Sequence, residues 1–280
     1  MQGMAVTEER AVEFLEGGLL VKTIETKEEL TQAYRLRHRV FAERLKWVPE
    51  RADKLEADVY DAWSTSIGVF ANETQLLGLV RITHAPVPFM LESEFSACLV
   101  GSHRVRKETD TAEITRLAVD PAIADRGLSA RLMKTLFKGM YQWCLLHDVR
   151  YTYMVVEHRL LRVVQRMGWP CRAIGEPVAL PPAEVLSIGG LLDLNEFRLH
   201  ASIGRPAMLD WLTTTTPVFG EAPAYQNTQE SDMGEYAELA EDRRLVRAAR
   251  FLRSTEAHVH APIMRRDGCL HGGRQAVERW

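Results

Sequence analysis

The chain has 280 residues, 46% of them hydrophobic and 26% charged, a balance that excludes a fibrous or wholly disordered protein and leaves enough apolar side chain for a sizeable core. Its formal net charge of −3 excludes a global attraction to nucleic acid or to an anionic membrane surface, so an electrostatic partner must be met by a local patch. No apolar run approaches the length of a membrane span, and the N-terminus lacks a basic start followed by a long apolar stretch, so a cytoplasmic protein is expected.

In chain order, residues 21–23 open as a short strand. Thr26-Lys27-Glu28-Glu29 has the form of a capping box and predicts a helix through Leu30, Tyr34, Leu36 and Phe41. The charged stretch 44–56, interrupted by Pro49, reads as a loop. Two strand-like runs, 64–70 and 76–83, flank Ala-Asn-Glu-Thr-Gln and predict a hairpin. Residues 113–119 predict a strand stopped by Asp120-Pro121. Over 128–146, Leu128, Leu132, Leu136 and Met140 repeat on one helical face, with Met133, Phe137 and Cys144 beside them. A strand at 151–156, a helix from about 159 to 167 ended by Gly168, and a further strand within 173–180 complete a mixed α/β order.

The composition shifts after about Pro206, which divides the chain into a folded unit, 1–205, and a C-terminal extension, 206–280, expected to be partly disordered and to pack outside that unit. One helix is predicted in the extension at 235–253, where acids come early and arginines late. His258, His260, Cys269 and His271 have irregular spacing in a Gly-rich tail and read as solvated, so no metal site is expected. The other cysteines, Cys98, Cys144 and Cys171, are far apart and read as idle thiols in a reducing compartment.

A set of polar and aromatic residues remains. Arg37, Phe41 and Trp47 make R-x3-F-x5-W. Asp58 and Asp61 follow as D-x2-D, Arg81 lies late in the second hairpin strand, and Phe95 follows a proline-broken loop. Glu113 and Arg116 share a strand and, being three apart, point to opposite faces if that strand is regular. On the residues alone, the acids and arginines form either a structural network whose charges largely satisfy one another or the wall of a site for a charged ligand. The aromatics are either core or a surface for a cation.

This ordered set resembles the acyl-homoserine-lactone synthase (autoinducer synthase) family. So do Arg166-Met167-Gly168-Trp169-Pro170 and Gly175-Glu176-Pro177-Val178, and the likeness covers roughly residues 20–200. The resemblance implies an acetyltransferase-like (GNAT-like) α/β fold: a twisted mixed sheet flanked by helices, with a V-shaped split for an acyl-pantetheine arm. It implies an acyltransferase that takes an acyl group from acyl carrier protein or acyl-CoA, joins it to S-adenosylmethionine and closes a lactone with release of methylthioadenosine. S-adenosylmethionine is then a substrate, and no cofactor or metal is implied. Arg37, Phe41, Trp47, Asp58, Asp61 and Arg81 are expected around S-adenosylmethionine, as contacts or as an ion-pair network. Phe95 is expected near the acyl arm, and Glu113 and Arg116 at the reaction, with Glu113 promoting loss of the amine proton.

Where acetyltransferases carry a Gly-rich pyrophosphate turn, this chain has Ala124-Asp125-Arg126-Gly127-Leu128-Ser129, a degenerate form that suits a carrier-protein donor. Arg159, Arg162 and Arg166 form one helical stripe, and Arg131, Lys134 and Lys138 crowd another helix. Either is a docking face for an acidic acyl carrier protein or a solvated surface. An N-acyl amino acid synthase of the same fold and a non-catalytic acyl-carrier-binding module are the alternatives.

Overall fold

The sheet begins with a tight hairpin, β1 (Glu13–Glu16) and β2 (Leu19–Thr23), in a computed structural model that describes residues 10–72, 74–101 and 103–218. The helix predicted at 235–253 and the tail's histidines and Cys269 lie outside the described residues. The capping box starts α1 (Lys27–Arg37): the Thr26 hydroxyl accepts from the Glu29 N–H, and the Glu29 carboxylate accepts from the Thr26 N–H. Past Arg37 the helix widens into a π-helical stretch, His38–Arg44, an arrangement frequent at functional sites because it re-aims the side chains it carries.

The loop 45–58 leads to a 3-10 turn, Val59–Trp63. The predicted hairpin follows as β3 (Ser64–Ala71) and β4 (Gln75–His84). A short helix, α2 (Met90–Ser93), precedes β5 (Thr111–Val119) and the long amphipathic α3 (Arg126–Leu146). Then come β6 (Tyr151–Glu157) and α4 (His158–Arg166). Gly168, at φ +103°, turns the chain out of α4 in a conformation that L side chains rarely adopt.

The strand predicted within 173–180 is two short strands, β7 (Arg172–Ala173) and β8 (Val178–Leu180). Both pair with β9 (Val185–Asp193), which the sequence pattern did not announce. Its middle is Gly189-Gly190, so the alternation of large side chains is missing. A Cβ on Gly190 would lie 2.7 Å from Cys171 Sγ, and one on Gly189 2.9 Å from Ile174 Cγ1. The glycines are there for close approach, which erases the strand signal. α5 (Leu194–Gly204) and α6 (Pro206–Thr213) follow.

The nine strands among the described residues make one sheet in the order β1-β2-β3-β4-β5-β6-β9-β7, with β8 also on β9. Only β5 and β6 run parallel, and they pair from Thr111–Tyr151 to Ile114–Met154 and no further. Beyond that point the two strands part. One face of the sheet packs Ile67, Val69, Val80, Ile82 and Ile114 against α3 through Leu132, Leu136 and Met140. The other packs Leu20, Phe70 and Leu79 against α1 through Ala33 and Leu36.

The composition change at Pro206 marks the start of a packed helix. Pro206 begins α6, where its missing N–H costs nothing. Leu212 is completely buried in the main core, Trp211 Nε1 donates to Glu16 Oε1 at 2.8 Å, and the Leu15 N–H donates to the Thr216 carbonyl. Residues 206–218 therefore pack on β1 and α3.

Candidate active site

The parting of β5 from β6 opens a cleft that runs through the sheet. One end lies under the π-helical stretch and its exit, where Val40, Phe41, Leu45 and Trp47 form the wall. The other end is apolar and lies under α3 and α4, lined by Met133, Phe137, Met140, Met154, Leu160 and Val164. The strand edges between them are Ile114–Val119 on one side and Met154–Glu157 on the other. The two ends differ in character, as a charged ligand group and a hydrocarbon chain would require.

Behind the aromatic end lies an ion-pair network of three arginines and three acids. Arg37, 1% exposed, pairs with Glu56, with Asp61 at 2.6 Å and with Asp58 at 3.5 Å. Arg81, fully buried, donates to Asp58 at 2.6 Å and Asp61 at 2.8 Å, and its Nε donates to Thr115 Oγ1 at 3.0 Å. Arg116 meets Asp58 at 2.7 Å and Glu56 at 3.0 Å. Arg81 Nη2 and Arg116 Nη1 also converge on the Met90 sulfur, at 2.9 and 3.6 Å.

Burial alone would raise the Glu56 carboxyl; Arg116 and Arg37 outweigh it and hold Glu56 below the ordinary carboxylate range. Asp61 is likewise depressed against its burial, chiefly by Arg37. Six charges thus cancel within one cluster, which is how such groups become tolerable away from water.

The network fixes the loop that carries its acids. Asp58 and Asp61 form a capping box on the Val59–Trp63 turn. The turn is pinned to the loop before β5 by Tyr60 Oη on Ser93 Oγ and by Trp63 Nε1, which donates to the Pro88 carbonyl. Phe41 and Trp47 stand together at the cleft, ring centroids 6.0 Å apart, and the Arg116 guanidinium lies 5.5 Å from the Phe41 centroid.

Glu113 and Arg116 do not face opposite ways. The β4–β5 register shifts between Leu79 and Arg81, and Arg116 sits at φ +53°. This bulge turns Arg116 to the face that Glu113 and Thr115 already occupy, so that both meet Met90. Glu113 is fully buried and accepts from the N–H groups of Met90 and Leu91, at 2.8 and 2.7 Å. Burial pushes its carboxyl up to about 7, against those two bonds. It holds the start of α2 and is not among the residues lining the cleft. Phe95 packs beside Phe89, Leu91 and Tyr153, also away from the cleft wall.

Glu56 and Met90 were not singled out in the sequence. Glu56 had a signal: it stands two residues before Asp58 in an acid-rich stretch. A methionine in an apolar run carries none.

The turn before α3 is held by its own side chain, since Asp125 Oδ1 accepts from the N–H groups of Gly127 and Leu128, at 2.7 and 3.3 Å. A bound phosphate would need those N–H groups.

The two basic stripes have different fates. Arg159, Arg162 and Arg166 are exposed on α4. The other stripe is covered: Lys138 is 3% exposed and paired with Glu16, Lys134 lies 4.2 Å from the Trp211 ring centroid, and Arg131 donates to the Gly17 carbonyl. It anchors β1 and α6.

The sequence family described as autoinducer synthase matches residues 22–201. An acyl-homoserine-lactone synthase of Aeromonas hydrophila is 32% identical over 178 residues, 62% of this chain and 84% of that protein. One from Agrobacterium fabrum is 32% identical over 168 residues, 58% and 78% of the two chains. Among solved structures, TofI in a ternary complex with an inhibitor and MTA superposes with a TM-score of 0.55 at 19% identity, covering 68% of this chain and 98% of that one. BjaI, a CoA-dependent acyl-homoserine lactone synthase solved with SAM and isopentyl-CoA, gives 0.55 at 19% identity, covering 79% and 91%. At that identity the structural likeness speaks for the fold alone, a mixed sheet flanked by helices.

Proposed function

The chain belongs to the autoinducer synthase family, and from that premise we propose that it makes an N-acyl-homoserine lactone, a quorum-sensing signal, from an acyl-pantetheine thioester and S-adenosylmethionine. The observation that carries this reading is the cleft through the sheet, aromatic and charged at one end and apolar at the other. The acyl chain lies among Met133, Phe137, Met140 and Met154. S-adenosylmethionine lies at Phe41 and Trp47, whose rings favour a sulfonium cation or stack on adenine. The thioester then falls between them, where β5 and β6 part.

Two steps follow. The substrate amine attacks the thioester carbon, the C–S bond breaks, and an amide and a free thiol result. A carboxylate oxygen of the acylated substrate then attacks its own γ-carbon. The bond to the sulfonium breaks with its electron pair on sulfur, releasing neutral methylthioadenosine and closing the lactone. The leaving group is already activated, so the protein's part is to hold reactants close and folded back. Arg37, Arg81, Arg116, Glu56, Asp58 and Asp61 serve as positioning residues for the wall that carries Phe41 and Trp47. Their mutual neutralisation supports that role over direct pairing with the sulfonium. Glu113 and Met90 brace the same wall, and Phe95 supports it from behind.

The donor we propose is acyl carrier protein. Asp125 occupies the N–H groups a CoA pyrophosphate would use, and Arg159, Arg162 and Arg166 offer an exposed basic stripe beside the cleft. The enzyme works in the cytoplasm, where both substrates are found; no helix of the described residues is long and apolar enough to cross a membrane. Mass spectrometry of culture extracts from a host expressing the chain tests the reading. An acyl-homoserine lactone absent from the vector control is the expected result. N-acyl amino acids without any lactone would point to a related acyltransferase.

A further inference from the structure

The reaction above needs a group to take a proton from the substrate amine, and Glu113 is sealed against backbone N–H groups outside the cleft. The charged side chains lining the cleft are Arg44, Arg116, Asp120 and Glu157, and no histidine is among them. The arginines are cations. Asp120 is held at 2.6 Å by Arg39. Glu157 is the last residue of β6, half-buried on the wall opposite Thr115 and Leu117, and no side-chain hydrogen bond or ion pair engages its carboxylate among the described residues. A partly desolvated carboxylate without a partner in its own wall is costly unless a ligand supplies one.

We propose that Glu157 is a catalytic residue of amide formation, the group that accepts the proton of the substrate ammonium in the cleft. This rests on the lactone-synthase reading. Glu157 takes one proton from the ammonium, freeing the nitrogen lone pair. The C–N bond forms and the C–S bond breaks with its electron pair on sulfur. A second nitrogen proton ends on that sulfur as the thiol, and Glu157 returns its proton to solvent. Burial moves the Glu157 carboxyl upward toward the working pH, with the Arg159 charge on α4 opposing. Arg44, Arg116 and Asp120 are the other charged side chains that line the cleft with Glu157. A carboxylate raised toward the working pH is a stronger proton acceptor while remaining largely ionised.

The test is single-turnover amide formation across pH for the wild type, Glu157→Gln and Glu157→Asp, with thermal melts alongside. Because Glu157 is half-buried and its carboxylate unpaired, Glu157→Gln should melt no lower than the wild type. Glu157→Gln should lose about 10²-fold in rate at neutral pH with little change in the KM for S-adenosylmethionine. The deficit should shrink as pH rises and free amine forms unaided. Glu157→Asp should keep part of the rate and the wild-type rise with pH. An unchanged rate and pH profile in Glu157→Gln overturns the assignment. So does a change confined to the KM or chain preference for the acyl donor, which would make Glu157 a wall residue only. A wild type that forms no lactone removes the underlying function instead, a result visible before any variant is compared.

Discussion

Arg116 reaches Asp58 at 2.7 Å across 58 residues of chain because its own backbone adopts φ +53°. A side chain in the ordinary strand conformation at that place would point to the α3 face. The strained bulge is maintained by what it brings together: three arginines and three acids, none of which is tolerable alone.

Removing one member leaves its partners uncompensated. Asp61→Asn and Arg116→Ala should each cost about 3–5 kcal/mol of stability, read as a drop in denaturation midpoint. A loss below about 1 kcal/mol would mean that water reaches the cluster and takes over the missing partner.

Glu113 sets a pH dependence. Its carboxyl is raised to about 7 by burial, whereas in the unfolded chain it titrates at the ordinary 4.5. Between those values the folded state binds more protons than the unfolded one, so its contribution is complete below about 4.5 and is lost as pH rises through about 7. Glu113→Gln removes this slope. It also sets an amide NH2 group against the N–H of Met90 or Leu91, a conflict of about 1–3 kcal/mol. The gap in Tm between wild type and Glu113→Gln should therefore narrow from pH 5 to pH 8. A gap that widens over that range contradicts the assignment.

The α4 stripe predicts a kinetic signature. Reversing Arg162 and Arg166 to Glu should raise the KM for acyl carrier protein, with kcat and the KM for S-adenosylmethionine nearly unchanged. Added salt should shrink the effect, because rim charges act mainly on association. A small acyl-pantetheine donor should be indifferent. Lys138→Glu should destabilise the fold instead, since that side chain is buried on Glu16.

The end of the core is testable by truncation. A chain ending at Arg205 loses Leu212, fully buried, and the Trp211 contact to Glu16. Against a chain ending at Val218 it should be less stable by several kcal/mol, on the order of a large core truncation. Equal melting temperatures would show that α6 is dispensable to the core.

Much of this fold was legible. Thr26 and Glu29 announce α1, the two apolar runs around Asn72 announce β3 and β4, and the spacing of Leu128, Leu132, Leu136 and Met140 announces α3, because each signal is local. The site was legible as a set of residue types and only partly as geometry. Nothing local distinguishes Glu113, buried under two N–H donors, from Glu157, open on the cleft, since the difference lies in where β5 and β6 part. The bulge at Arg116 is invisible for the same reason: it is enforced by Asp58 and Glu56, far away in sequence. Gly189 and Gly190 hide a strand because contacts with Cys171 and Ile174 leave no room for side chains.

The central claim is that one cleft carries out amide formation and then lactone closure on the same substrate. The most direct measurement mixes purified protein with acylated carrier protein and S-adenosylmethionine and quantifies acyl-homoserine lactone and methylthioadenosine by mass spectrometry. The account predicts one methylthioadenosine for every lactone and for every thiol released. Thiol release with acylated product but no methylthioadenosine would contradict it.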